Sequence, residues 1–302
     1  MTPSDMARLA IVLDLESSRT QVIQVRPQFV DPTVTDRPPC RPFGVTWSPE
    51  ELFIANNRQL LIFDHALNYV RSSTVRLQIN IHQLAFGKGR VWAVSPWTNS
   101  LIGAPTGAGV EAIEFDLSRN VLVPYRRREG RPSADEHHFN SILWADGHLF
   151  VAAHAFGEGS FINRYDAETL RFQKTLHGAG HSIHGLARHE GELFWVSTMT
   201  QEIRSDRGYR LFLHRPGYPR GFAMTAEYFV VAISQCRGRG RRHAGNSWIQ
   251  VIDRRQGRTV HETELRDTGG INDLRLLSEY DYAHRVPPFP LLAFPTAQPS
   301  SG

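Results

Sequence analysis

The sequence predicts an all-β fold, a six-bladed β-propeller whose last blade is closed by strands from both termini. Three observations carry that expectation. One unit recurs in which a polar residue opens an apolar run, a turn rich in charge or glycine follows, and a second apolar run closes it. It appears as "NIHQLAFGKGRVWAVS" (80–95), "HFNSILWADGHLFVAA" (138–153) and "SIHGLARHEGELFWVS" (182–197). A second unit is an apolar pair, an aspartate, a few polar residues and an alternating strand, with Asp14, Asp64, Asp116, Asp166 and Asp253 at the turn and Asp206 in a degenerate copy. Its period is roughly 40–50 residues, that of four-stranded propeller blades. Finally, no segment sustains helical periodicity, and Gly, Asp and Asn turns are frequent.

The elements follow in order. Each opener unit supplies the inner strands A and B of a blade, and each Asp hairpin supplies C and D, the aspartate closing the turn through its side chain. Openers fall at Gly44, His82, Asn140, His184, Arg220 and Asn272. The sixth blade is split, "INDLRLLSEYDYAH" (271–284) joining "LAIVLDLESSRTQVIQV" near the N-terminus, which removes exposed sheet edges. Residues 1–285 form one domain, and 286–302 read as a loose Pro-rich tail.

Strand A lines a propeller's central channel, and its start lies on the same face as the end of strand B. One channel mouth therefore gathers His82, Asn140, His184, Arg220 and Asn272, with His138 and Asp273 beside them. The B ends add Asn56, Ser95, His154, Ser197 and Ser234. His82 and His184, with His138 as a third ligand, suit a divalent transition metal: zinc, iron, manganese or copper. Two other readings stand beside it, histidines solvated by channel water and metal-free acid–base histidines. Arg220 is placed to clamp a carboxylate in two parallel hydrogen bonds, or to pair with Asp273. On the enzymatic reading His138, His154, Arg220 and Asp273 are catalytic, and Asn140, Arg220, Asn272 and Trp97 bind substrate.

Composition narrows the partners. The formal charge is +4, and nearly all cations are arginine, Lys88 and Lys174 being the lysines. Arg126, Arg127 and Arg128 sit in one long loop (125–138) above the mouth, and "RGRGRR" (237–242) in another (236–246). The latter is a single run without interleaved aromatics, which argues against nucleic acid. Cys40 and Cys236 make no disulfide framework or zinc motif. The opening lacks a basic-then-apolar leader, and no apolar stretch reaches membrane-span length, so a cytoplasmic setting without membrane contact is expected.

The stretches "HFNSILWADGHLFVAAH", "IHGLARHEGELFWVS" and "GYPRGFAMTAEYFVVAIS…VIDRRQG" resemble a family of bacterial six-bladed propellers often encoded near biosynthetic genes, over residues from about 40 to 280. More distantly the chain is similar to the gluconolactonase and strictosidine-synthase propellers, a resemblance that implies an active site at the channel mouth. Gluconolactonase-like enzymes hold a divalent ion with Glu, Asn and Asp. Here Asn140, Asn272 and Asp273 are present, but His82 and His184 replace the acidic ligand, which implies a transition metal rather than calcium and an activity other than lactone hydrolysis. His-lined propeller lyases are the nearer chemical analogy.

Two functions are consistent with these features. One is an enzyme that eliminates, cyclises, isomerises or hydrolyses a carboxylate-bearing metabolite or peptide, with metal-dependent oxidation if the ion is iron or copper. The other is a non-catalytic platform for a protein or metabolite.

Overall fold

The computed structural model describes residues 9–15, 20–24, 42–56, 59–77, 81–107, 110–126, 137–155, 158–235 and 245–292. Cys40, Cys236, Arg127, Arg128 and the "RGRGRR" run lie outside them.

The chain is a β-propeller of five blades, each a meander of antiparallel strands. A hairpin, β1 (Leu9–Leu13) and β2 (Thr20–Gln24), precedes them. Blade 1 is β3 (Gly44–Trp47), β4 (Leu52–Ala55), β5 (Leu60–Phe63) and β6 (Tyr69–Ser72). Blade 2 has five strands: β7 (Leu84–Gly87), β8 (Arg90–Ser95), β9 (Ser100–Pro105), β10 (Ile113–Asp116) and β11 (Val121–Pro124). Blade 3 is β12 (Phe139–Ala145), β13 (His148–Ala153), β14 (Ser160–Asp166) and β15 (Phe172–Gly180). Blade 4 is β16 (Ile183–His189), β17 (Glu192–Ser197), β18 (Glu202–Ser205) and β19 (Arg210–Phe212), and blade 5 is β20 (Tyr218–Met224), β21 (Tyr228–Ser234), β22 (Ser247–Asp253) and β23 (Arg258–Leu265).

The aspartate hairpins form as expected. The Asp64, Asp116 and Asp166 carboxylates each accept two backbone N–H groups of their own turn, and Asp253 accepts one from Gln256. In the weak copy Ser205 takes that role, while Asp206 accepts from Leu193 N across the blade.

The sixth blade does not form, which corrects the expected count. Residues 271–284 pair in no ladder among the described residues, and β1–β2 stands as a two-stranded sheet. The ring nevertheless closes. Six apolar clusters mark its six junctions: four between successive blades, one where Leu13, Leu15, Ile271, Leu274 and Leu276 meet blade 5, and one where Leu277, Val286 and Phe289 meet blade 1. The extended segment 271–276 thus occupies an inner-strand place without strand partners. Its charged side chains bond neighbouring backbone instead: Asp273 Oδ2 accepts from Val45 N of blade 1.

A lateral relay of close approaches and hydrogen bonds carries closure around the channel, from the opener Gly44 in blade 1 and from the residue that follows each later opener. Gly44 lies so close to Leu84 N that a Cβ would sit 2.7 Å from it. Gln83 Oε1 accepts from Ile142 N, and Ser141 Oγ from Gly185 N. Gly185 has φ +58°, and a Cβ there would sit 2.5 Å from Phe222 Cβ. Gly221 abuts Leu274, and Asp273 returns to blade 1.

Residues 277–292 then run across the other end of the ring, at the exits of the A strands. Asp281 accepts from the backbone N–H groups of Met224, Leu276 and Ala283. Arg188 N donates to Tyr282 O, and Trp47 Nε1 to Pro287 O. His284 hydrogen-bonds Thr46, and Arg285 pairs with Asp146. Val286 and Phe289 are buried, so this part of the Pro-rich tail belongs to the core and not to a loose end.

Candidate functional site

Local backbone geometry aims the openers into the channel. Strands β12, β16 and β20 each carry a bulge at their start, at Asn140, Gly185 and Arg220. Blade 2 has the equivalent, since His82 N donates to Val94 O while Val94 N donates to Gln83 O. A bulge places two residues opposite one and re-aims a side chain. The successors contact the next blade, Gln83 through Ile142 N and Ser141 through Gly185 N, and Asn140 also donates to Ile183 O there. His138 and Ser182, just ahead of β12 and β16, have positive φ of 49° and 53°, outside the usual range for residues with a Cβ.

Four imidazoles meet as a result. His82 and His138 pack edge-on with centroids 4.8 Å apart, His138 stacks on His154 at 4.8 Å, and His154 meets His184 edge-on at 4.7 Å. His82, Asn140, His184 and Arg220 are thus brought to one mouth as expected, with His138 and the strand-end residue His154. Phe43 flanks the row at 6.4 Å from His82.

Three of the four imidazoles, His82, His154 and His184, are disfavoured as cations. Burial depresses His82 and His184 well below the ordinary imidazole value, and neighbouring imidazoles and the Arg220 guanidinium add to it. Burial, His138 and Arg220 bring His154 down to about 3. His82, His154 and His184 are thereby favoured as free bases or N–H donors over cations.

His184 has a defined tautomer. Its Nδ1 lies 3.0 Å from Ser182 O, a carbonyl that only accepts, so Nδ1 carries the hydrogen. Thr198 Oγ1, 2.8 Å from Nδ1, spends its own hydrogen on Pro219 O and so also accepts. Nε2 is left as a bare lone pair, buried and without a hydrogen-bond partner. Asn140 is alike: Nδ2 donates to Ile183 O at 2.7 Å, and Oδ1 is buried and unpartnered. Thr198, which fixes the His184 ring, carries no chemistry of its own and was not singled out from the sequence; its place one residue past a B-strand end is the signal.

Other expected site residues are engaged elsewhere. Asp273 pairs with Arg275 at 3.1 Å, not with Arg220, and also accepts from Val45 N, Gln83 Nε2 and Leu274 N. With these donors it joins the 271–276 segment to blades 1 and 2. Asn272 donates to Pro42 O. Trp97 lies in a 3-10 turn (Pro96–Thr98) on the same face, and no described ring contact joins it to the imidazoles. Arg275 was missed, although the alternation of Asp273 and Arg275 with Leu274 and Leu276 is visible in "NDLRLL".

The expected metal set does not fit this arrangement. Among the described residues no group of three His, Cys, Asp or Glu side chains is disposed to hold an ion. Stacked rings such as His138 and His154 direct their in-plane lone pairs side by side, not toward one point. Arg220 also penalises added positive charge among the imidazoles, as their lowered pKa values show. Two described cavities lie away from the row. One of about 420 Å³ is lined by His137, Phe139, Phe161 and His177, and one of about 310 Å³ by Trp144, His148, Tyr280 and Arg285.

No family model and no curated protein matches the sequence, so the likeness to bacterial six-bladed propellers is not carried beyond the fold. Solved structures do match. A chain in the crystal structure of a nidogen/laminin complex aligns with TM-score 0.60 and 10% identity, over 87% of this chain and 92% of that one. A chain of a mitotic checkpoint complex aligns with TM-score 0.50 and 11% identity, over 89% and 75%. Virginiamycin B lyase from Staphylococcus aureus gives TM-score 0.44 and 11% identity, over 74% and 84%. At such identities the likeness is one of fold alone. No helix among the described residues is long and apolar enough to cross a membrane.

Proposed function

We propose that the chain is a small-molecule enzyme that performs metal-free acid–base chemistry on a carboxylate-bearing substrate at the mouth formed by His82, His138, His154, His184 and Arg220. The observation that carries this reading is the unbroken row of four imidazoles beside a guanidinium. Arg220 takes the carboxylate through paired hydrogen bonds. An imidazole near pKa 3 is a weak base, but the anion that offsets Arg220 also removes part of what depresses the row. A bound carboxylate opposes the Arg220 part of that depression in His82, His154 and His184, and His138, which is partly exposed, moves the proton with His154 behind it. Elimination and isomerisation, both begun by removal of a proton, suit this set best.

The test is an NMR titration of the histidine ring protons with and without propanoate, followed by incubation of candidate carboxylates in D2O. Raised imidazole pKa values that vanish in Arg220→Ala, together with deuterium entering the carbon next to the carboxylate, support the reading. Binding without exchange would leave a non-catalytic metabolite platform. Unmoved resonances would remove the site.

A further inference from the structure

We infer that the carboxylate received at this mouth carries uncharged N–H or O–H donors, which Asn140 and His184 accept; the inference rests on the reading above. Asn140 is 2% exposed and His184 5% exposed, and both stand at bulged strand starts of adjacent blades. Their donor sides are spoken for by Ile183 O, Ser182 O and Thr198 Oγ1, which fixes which atom of each is left over. Both leftover atoms, Oδ1 and Nε2, are acceptors without partners. A buried acceptor left unmade is costly, and native proteins satisfy nearly all of them. Two orphans in neighbouring blades at one mouth therefore describe a ligand that donates twice.

The donors are uncharged for the reason that His82 and His184 are disfavoured as cations. Burial and Arg220 oppose positive charge at this mouth, and a ligand ammonium meets the same opposition. Vicinal hydroxyls or a primary amide beside the carboxylate satisfy both acceptors without adding charge.

Five probes separate the cases by calorimetry or ligand-observed NMR: propanoate with no donor, lactate with one hydroxyl, glycerate with two, malonamate with a primary amide, and serine with an ammonium. Glycerate or malonamate is expected to bind about tenfold more tightly than propanoate, the worth of two modest hydrogen bonds. Which of the two leads distinguishes hydroxyl from amide. Asn140→Leu should reduce the preference for the donor-bearing probes over propanoate. Should that variant fold poorly, the wild-type His184 Nε2 resonance in 15N spectra serves: it shifts with the preferred probe and not with propanoate. Equal, Arg220-dependent binding of all five means that water occupies the acceptors, which overturns this inference and spares the proposed site. Serine binding most tightly overturns the uncharged-donor assignment. Propanoate binding unaffected by Arg220→Ala, or absent with every other probe, overturns both.

Discussion

The two ends of the channel are built from the same strands, and a named network at each end is completed differently. At the A-strand exits Asp281 collects three backbone N–H groups, Trp47 finds Pro287 O, and Arg285 spans Asp146 and Arg188 O, while His284 Nδ1 is left over. At the A-strand starts, Asn140 Oδ1 and His184 Nε2 are left without partners, and Arg220 bears on three imidazoles. A polar network completed from within is structural. One completed on all sides but the channel is, on the reading proposed above, where a ligand is received.

Asp281→Ala should have the largest effect. It strips three N–H groups of their acceptor and removes a carboxylate that faces Arg275, at a cost of about 3–5 kcal/mol. Urea unfolding measures it, and a loss below about 1 kcal/mol would erase the contrast between the ends. Acid comes next. His154 is depressed to about 3 in the folded state, so the unfolded chain binds its proton first as pH falls below about 6.5. Stability therefore declines from there down to about pH 3, by about 1.4 kcal/mol per pH unit for this one group. Asp281, raised to about 6, works the other way, adding stability as pH falls from 6 toward 3.8. His82, His184 and His284 all share the direction of His154, so the histidines prevail. Urea midpoints at pH 7.5, 6 and 5 should fall in that order, and His154→Phe should flatten the trend.

Arg220→Gln is expected to weaken propanoate binding about tenfold, roughly 1.4 kcal/mol. A large stability loss would instead make Arg220 part of the scaffold. Trp97→Ala comes last, with an affinity change of about threefold or less, consistent with a ring that touches none of the imidazoles. A larger effect would extend the mouth outward across the β8–β9 turn.

The openers were legible because strand alternation and blade spacing fix where His82, Asn140, His184 and Arg220 must fall. The side chains of blades, aspartate turns and openers are all local consequences of sequence. What happens at 271–292 is not. Asp273, Arg275, Asp281 and His284 bond to strands as much as 238 positions away, and nothing in "INDLRLLSEYDYAH" says that side chains will replace a ladder there. The pattern supported an inner strand, and that place is filled, but pairing needs a partner edge that β1–β2 does not offer to it among the described residues. The metal set failed for a related reason, since spacing converges residues while only ring orientation decides whether their lone pairs do.

The paired residues at each bulge divide labour within two adjacent codons. One member contacts the next blade; on the reading proposed above its neighbour meets the ligand. Chemistry at positions 82, 140, 184 and 220 is therefore replaceable without touching the contacts made by Gln83, Ser141, Gly185 and Gly221. A combinatorial library restricted to those four sites would sample new specificities on an unaltered frame.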